Sequence, residues 1–507
     1  MRPSIFFNFF RLFVLALLLS LSLTLPAPQA SEASPLTGTL QQGEGGEQLA
    51  YDPDTGQLIF VGALPGSPIP SPAGDVSALS VEEQAMTFVA HYGPRFGLKQ
   101  PANEVRLKRV DTLENGRRVV RYQQTYQGVP VFGGDLVVNM ADSGALVAMA
   151  GKIALLPSSL DVTPVLTAED AIRKAKELAA RLYGVSEDSL SADEPGLWVY
   201  DERLFTPTTL APRAVWKVEV KGGDKQPVYE VVLVNAKTGG VAVHYTLLDR
   251  EWRLPKESLQ PLARTSSPQG GVEALAGGSP VWDVYDSENT TTYPKTFVCS
   301  NSSPEGCDNV SDDRDAYYAA LYARDTYLFY WEHHGRDSID GAGMLIRSNV
   351  HYGDPSYSPN WYLNAFWDGN QMVYGDYLAL DDVVAHELTH GVTQYTSDLI
   401  YLYQPGAINE SLSDVWGELI DLSYGNDYVP NSDTTARWLL GEDLFGPAYA
   451  FRNMKNPPAK GDPDSMLSPL YYKGPLDNGG VHTNSGVNNK AAYLMTDGGT
   501  FNGYTVQ

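Results

Sequence analysis

The sequence predicts an α+β protein of several domains, and three observations carry that expectation. Strand–turn–strand signals recur at Asp52-Pro-Asp-Thr-Gly56, Ala141-Asp-Ser-Gly144 and Asn235-Ala-Lys-Thr-Gly239, each flanked by runs rich in Val, Leu, Ile or Tyr. Helical spacing marks Thr167 to Leu182, where Thr167 and Asp170 suit an N-terminal cap. His386-Glu387-Leu388-Thr389-His390 sets two histidines four residues apart, on one face if the segment is a helix. A chain of 507 residues also exceeds what one core normally organises.

Taken in order, residues 1–30 read as a secretory signal peptide. Arg2 and Arg11 flank an aromatic stretch, Leu12 to Leu25 is almost uninterruptedly apolar, and Pro26-Ala-Pro-Gln-Ala30 supplies small residues for cleavage. The apolar core is shorter than the ~18 residues of a spanning helix, and no later segment qualifies, so a secreted chain with no stable membrane partner is expected, with an uncleaved anchor as the alternative. Residues 31–75 read as linker or N-terminal pro-region, from the composition of Gln41 to Gln48 and of Gly66 to Pro72. Over 76–155 and 156–248 the sequence itself shows hairpin signals and one helical stretch, and 249–279 is rich in turn and small residues. Cys299 and Cys307 enclose a short polar loop and suit one disulfide in an exported protein. The formal charge of -25 disfavours nucleic acid as a partner, and 43% hydrophobic residues suffice for packed cores. A monomer is expected.

The chemistry concentrates in the second half. Both imidazoles of a helical H-E-x-x-H can reach one metal ion, and Glu387 between them can take a proton from a water. Glu410 follows His390 by 20 residues, in Gly406-Ala-Ile-Asn-Glu410-Ser-Leu-Ser-Asp414. Catalytic zinc usually has three protein ligands and an open position, and His386, His390 and Glu410 complete such a set. Asp414, one turn beyond Glu410, is placed to accept the other N–H of a ligating histidine, and Asn409 to orient the second ring.

On these motifs, with Asn364-Ala-Phe-Trp367, Gln371-Met-Val-Tyr-Gly375 and Asp477-Asn-Gly-Gly-Val-His482, the chain from about Asp312 onward resembles the thermolysin-like zinc metallopeptidases. The resemblance implies a two-lobed α+β endopeptidase acting on polypeptides, with a mixed α/β lobe carrying the His386–His390 helix at 280–398 and a mainly helical lobe at 399–507, with His386, His390 and Glu410 on zinc and Glu387 as general base. It implies that His482 and Tyr401 supply hydrogen bonds to the charge that develops on the scissile carbonyl, with Asp477 orienting His482. Tyr403 stands two residues from Tyr401 and competes for that role. Asn364 and the backbone of Ala365 would pair with the substrate main chain, and Arg452 would reach a substrate carbonyl. Val383 and Phe451 would line an apolar pocket for the side chain just after the scissile bond. Asp382, Asp421 and Glu442 match calcium-binding acids, while Arg437 stands where another acid is expected and limits the site to one ion.

Arg121 to Gly134 resembles the fungalysin/thermolysin propeptide motif, and Trp216 to Val220 with Tyr229-Glu-Val-Val resembles a PepSY domain. These resemblances imply modules that assist folding and hold the enzyme inactive until cleavage, expected between Asp249 and Ser279 by the enzyme itself. Two other readings compete: an inhibitory or binding protein built on the pro-modules with an inactive catalytic region, and a zinc aminopeptidase sharing only H-E-x-x-H. Family members continue beyond the segment Asn489 to Gly499, so a truncated, weakly active fragment is a further expectation.

Overall fold

The computed structural model describes residues 40–43, 45–53, 55–113, 115–222, 228–248, 281–302, 306–307, 310, 313–353, 364–424 and 436–507. The expected signal peptide at 1–30 and the expected maturation segment at 249–279 lie outside the described residues. The chain divides into two compact units.

The first unit comprises residues up to 162 together with 198–204 and 208–212. Its antiparallel sheet runs β1 (Gln41–Gln42), β2 (Gln48–Tyr51), β3 (Leu58–Gly62), β7 (Leu146–Lys152), β6 (Val129–Met140), β5 (Arg118–Tyr126), β4 (Val105–Thr112). Helix α1 (Val81–Phe96) lays Ala85, Phe88, Val89, Tyr92 and Phe96 on Val120, Tyr122, Leu136 and Val138. Ser80 and Glu83 close a capping box at its start, and the short helix α2 (Pro101–Glu104) follows it. The turns at Asp52–Gly56 and Ala141–Gly144 join β2 to β3 and β6 to β7, as expected from sequence. The segment read as linker or N-terminal pro-region contributes β1, and β2 and β3 on either side of the expected Asp52–Gly56 turn. Its Leu49, Leu58 and Val61 enter the core.

The second unit holds 163–197, 205–207 and 213–507. Its first part is a sheet in the order β8 (Leu190–Ala192), β10 (Arg213–Gly222), β11 (Tyr229–Asn235), β12 (Val241–Thr246), all antiparallel. The strand β9 (Gly196–Tyr200) instead places Val199 and Tyr200 beside Val131 and Phe132 of β6. Helix α3 (Ala168–Tyr183) starts at Thr167, whose hydroxyl accepts from Asp170 N, and buries Ala171, Ala175, Leu178 and Ala179 against Val218, Val220 and Val232. The third turn, Asn235–Gly239, joins β11 to β12 with Gly239 at φ 73°.

The remainder of this unit is built on a mixed sheet, ordered β14 (Thr296–Ser300), β13 (Trp282–Thr290), β15 (Ile346–Tyr352), β17 (Met372–Tyr374), β16 (Ala365–Trp367). β13, β15 and β17 are parallel; β14 and β16 are antiparallel edges. Cys299 and Cys307 form the expected disulfide. Helix α4 (Arg314–His334) covers the sheet, and helix α5 (Asp381–Gln394) is buried from Asp381 to Thr393. Its Val383, Val384, Ala385 and Leu388 share one core with Tyr317, Leu321 and Tyr374. Helix α6 (Tyr403–Tyr424) packs on α5 so closely that a Cβ on Gly417 would lie 2.8 Å from the Asp382 carbonyl oxygen. Beyond it, β18 (Leu439–Leu440) pairs with β19 (Arg452–Asn453) across α7 (Glu442–Phe445), and then come α8 (Asp477–Asn484), whose residues 478–480 are non-helical, and α9 (Gly486–Asp497). The chain ends in the hairpin β20 (Gly499–Phe501) and β21 (Tyr504–Val506).

An ion network absent from the sequence reading fastens α4 to the approach to α5. His351, at φ 53° in β15, sets Nδ1 2.7 Å from Asp376 Oδ1 and Nε2 3.0 Å from Asp313 Oδ1. Asp315 Oδ2, 3.9 Å from Nδ1, also accepts from Tyr377 N at 2.7 Å. Burial alone would lower the His351 pKa; the hydrogen bonds its ring donates to Asp313 and Asp376 outweigh it and lift the value to about 11.

Candidate metal centre and active site

His386 and His390 point from one face of α5 toward Glu410 on α6. His386 Nδ1 lies 3.0 Å from Asp414 Oδ1, and His390 Nδ1 lies 2.9 Å from Asn409 Oδ1. Both Nδ1–H groups therefore donate outward, which leaves lone pairs on both Nε2 atoms. Those atoms are 3.0 Å apart, and Glu410 Oε1 is 3.3 Å from His390 Nε2 and Oε2 3.7 Å from His386 Nε2. Two imidazole lone pairs and a carboxylate in such proximity repel unless a cation sits among them. A tetrahedral zinc with bonds of about 2.0–2.1 Å puts its ligands roughly 3.3 Å apart, so this donor set fits zinc.

Asp414 is fully buried. Burial would raise its pKa, but the Arg452 guanidinium first, then His386 and Asn489, hold it down at about 2. It therefore stays ionised and can fix the His386 tautomer. Glu387 is also fully buried, and its Oε2 accepts from Trp367 N on the edge strand β16 at 3.1 Å. Tyr401 OH donates to Glu410 Oε1 and lies 3.2 Å from His482 Nε2. His482 Nδ1 pairs with Asp477 Oδ1, and His482 N donates to Asp477 Oδ2 at 3.1 Å. The competing Tyr403 instead packs its ring where a Cβ on Gly479 would stand.

Family models match the chain in three places: the thermolysin metallopeptidase catalytic domain over 273–394, its alpha-helical domain over 397–507, and the fungalysin/thermolysin propeptide motif over 103–153. A bacillolysin of Brevibacillus brevis is 34% identical over 425 residues, covering 80% of this chain and 73% of the relative. A thermolysin of Alicyclobacillus acidocaldarius is 34% identical over 433 residues, covering 78% of this chain and 73% of the relative. The chain belongs to the thermolysin family of zinc metalloendopeptidases. It carries its own propeptide, and its substrates are peptides. Among solved structures, the precursor of protealysin from Serratia proteamaculans is 34% identical over 45% of this chain and 72% of that one, with a TM-score of 0.37.

The other expected site residues of this thermolysin relative fall as follows. Ala365 lies on the edge strand β16, and Asn364 precedes it with its carbonyl accepting from Gly375 N at 2.9 Å. Arg452 is buried rather than superficial: Nε is 2.9 Å and Nη2 2.8 Å from Asp414 Oδ1, and Nη2 is 3.6 Å from Glu410 Oε2. Its pairing with Asp414 was not foreseen from sequence. Val383 and Phe451 are buried in one core, with the Phe451 ring against Gly441.

The calcium-type acids show a different company from the one expected. Asp382 and Glu442 are brought together with Glu418, Asp381 and Asp443, three residues the sequence reading omitted. Burial first, then Asp381, lifts Asp382 to about 8; burial, with Asp382 adding, lifts Glu418 to about 8; Glu442 is raised as well. Asp421 is buried on α6. Arg437, at the unexpected basic position, pairs with Asp497 at 3.1 Å. These acids are buried and crowd one another, and those two causes raise their pKa values. Glu418 was findable: Glu410, Asp414 and Glu418 succeed one another at four-residue steps along one helix face.

Proposed function

We propose that this chain is the precursor of a secreted, monomeric zinc endopeptidase that favours a hydrophobic residue just after the scissile bond. The observation carrying the reading is that His386 Nε2, His390 Nε2 and the Glu410 carboxylate converge within 3.7 Å while Glu387 is held beside them by Trp367 N. His386, His390 and Glu410 would hold the ion, which when bound polarises the scissile carbonyl and makes water more acidic. A substrate strand adds to the edge of β16, pairing with the Ala365 backbone and the Asn364 amide. Glu387 accepts the proton of the attacking water and passes it to the departing amine. The Tyr401 hydroxyl and the Nε2–H of a protonated His482 donate to the oxygen that gains negative charge. Asp477, on the opposite ring nitrogen, supports that protonated state. Arg452 keeps Asp414 ionised and turns a face toward the substrate carbonyl. Val383 and Phe451 bound the apolar pocket, and Asp382, Asp421 and Glu442, with Glu418, hold calcium.

The region 156–248 is read as a PepSY-like pro-module, and 249–279 as the segment the enzyme itself cuts. Export is supported by the apolar N-terminal run and by membership of this family. Among the described residues no helix is long and apolar enough to cross a membrane. The test is cleavage of an internally quenched peptide blocked at both ends. Wild-type protein should cleave it. Glu387→Gln should retain zinc by elemental analysis yet lose at least 10²–10⁴-fold in rate, the usual contribution of a general base. Substantial turnover by zinc-loaded Glu387→Gln would refute the assignment.

A further inference from the structure

The loop that carries Asp477 and leads to His482 has an unusual backbone. Asp477, Asn478, Gly479 and Gly480 all have positive φ, at 52°, 46°, 90° and 81°. The two glycines take such values freely; aspartate and asparagine tolerate them better than other side chains but at some cost, which a local hold offsets. The Asn478 carboxamide supplies that hold from an unforeseen direction. Its Nδ2–H donates to the Thr246 carbonyl at 2.8 Å, and its Oδ1 accepts from Thr246 N at 3.2 Å. Thr246 is the last residue of β12, in the pro-module. One side chain thus reads both main-chain groups of one residue in an extended strand.

Past the end of the strand the chain runs on to Leu248. Leu248 N donates to Thr246 Oγ1 at 3.1 Å, and Leu248 is buried among Tyr352, Phe366 and Val373. Phe366 sits in β16 between Ala365 and Trp367, whose N–H holds Glu387. Residues 246–248 therefore touch the His482 loop on one side and the substrate-edge strand on the other.

We propose that Asn478 is a main-chain latch for the pro-module. While the module is docked, the latch fixes the left-handed turn that aims Asp477 at His482. Asn478 is thereby a positioning residue, and its docked partner is an extended strand of this same chain. The proposal rests on the assignment of Asp477 and His482 above. It adds that release of the pro-module unlocks the turn behind that pair, so that latency and the setting of His482 are coupled.

The experiment uses the full chain with Glu387→Gln, so that it remains uncut, and reads amide hydrogen exchange by mass spectrometry. Asn478→Asp keeps size and tolerance of positive φ but loses the donor to Thr246. Thr246→Pro removes the N–H on the other partner. Each variant removes one of the two hydrogen bonds, and one bond of ordinary net strength corresponds to about a fivefold change in opening. Exchange in 241–248 should accelerate by that factor in Asn478→Asp. Exchange in 477–485 should accelerate likewise in Thr246→Pro, although no atom of that segment has changed. Protection of 314–334 should stay as in the parent. Unchanged exchange in 477–485 for Thr246→Pro, or in 241–248 for Asn478→Asp, overturns the latch. With Glu387 intact, Thr246→Pro should shorten the lag before activity and leave the kcat/KM of the matured enzyme unaltered, because residue 246 departs with the module. An unchanged lag also overturns it. The exchange results stand apart from peptidase activity. Cross-acceleration without cleavage of the blocked peptide by any variant would therefore sink the enzymatic reading and spare the latch.

Discussion

Gly417→Ala probes how tightly the candidate metal centre depends on helix packing. Gly417 lies on α6 where it meets the first turn of α5, and an added Cβ would fall 2.8 Å from the Asp382 carbonyl oxygen and 3.6 Å from His386 Cβ. The second distance is ordinary contact; the first is not. The obstructing atom is backbone within a buried helix, so it cannot swing aside. Ordinary contact begins near 3.4 Å, so α6 must move from α5 by about 0.6 Å. Overpacking of this kind costs about 1–3 kcal/mol, against which alanine returns about 1 kcal/mol of helix propensity. The net change in stability is therefore small. Catalysis is the sensitive readout, because Asp414 and Glu410 lie three and seven residues before Gly417 on the displaced helix. A misplacement near 1 Å can cost about 10²-fold, so kcat/KM on a blocked peptide should fall about tenfold with little loss of Tm. A variant with kcat/KM within twofold of wild type would show that the two helices do not set the site as argued.

Three other outcomes are expected. Asp414→Asn leaves the buried Arg452 cation without its main partner and weakens the hold on His386; zinc affinity should fall about 10–100-fold in competition titration, with roughly 3 kcal/mol lost in denaturant unfolding, and affinity within twofold of wild type would contradict it. Asp382 and Glu418, raised to about 8, are neutral in the calcium-free fold and charged when unfolded at neutral pH. Their contribution is therefore full below about pH 4 and is lost as pH rises toward 8. In zinc-containing, calcium-free buffer, Tm should fall over that range, and millimolar calcium should flatten the fall; identical slopes would count against a calcium site. His351, raised to about 11, has the usual histidine sign: its stabilisation is complete below about pH 6.5 and disappears as pH climbs to about 11. His351→Gln should lower stability at pH 6 and reduce its alkaline decline, measured by denaturant unfolding at several pH values.

The legible part of the site was the part written in local spacing. His386 and His390 share a helical face by arithmetic alone, as do Glu410 and Asp414. Hairpin turns announced themselves because Asp-Pro-Asp-Thr-Gly and its counterparts require special backbone. Ser80 and Glu83 also marked the start of α1, a helix the reading passed over. Other features had no local signal. The aspartates around His351 come from 313, 315 and 376, and their meeting depends on the sheet order. Arg452 meets Asp414 through the β18–β19 pairing. The D-N-G-G run suggested a loop, but nothing in it named Thr246 as the group that holds it.

One consequence follows from the row Glu410, Asp414, Glu418 along α6. Eight residues of helix span about 12 Å, so one rigid rod carries a carboxylate for the candidate zinc centre at one end and one for the calcium-type cluster at the other. Insertion or deletion of a single residue between 410 and 418 would swing the later acids roughly 100° around the axis and break the register between the two centres. The helix can therefore drift freely in the identity of its outward residues while its length stays frozen over this interval. Homologous chains should differ here by substitution and never by a gap.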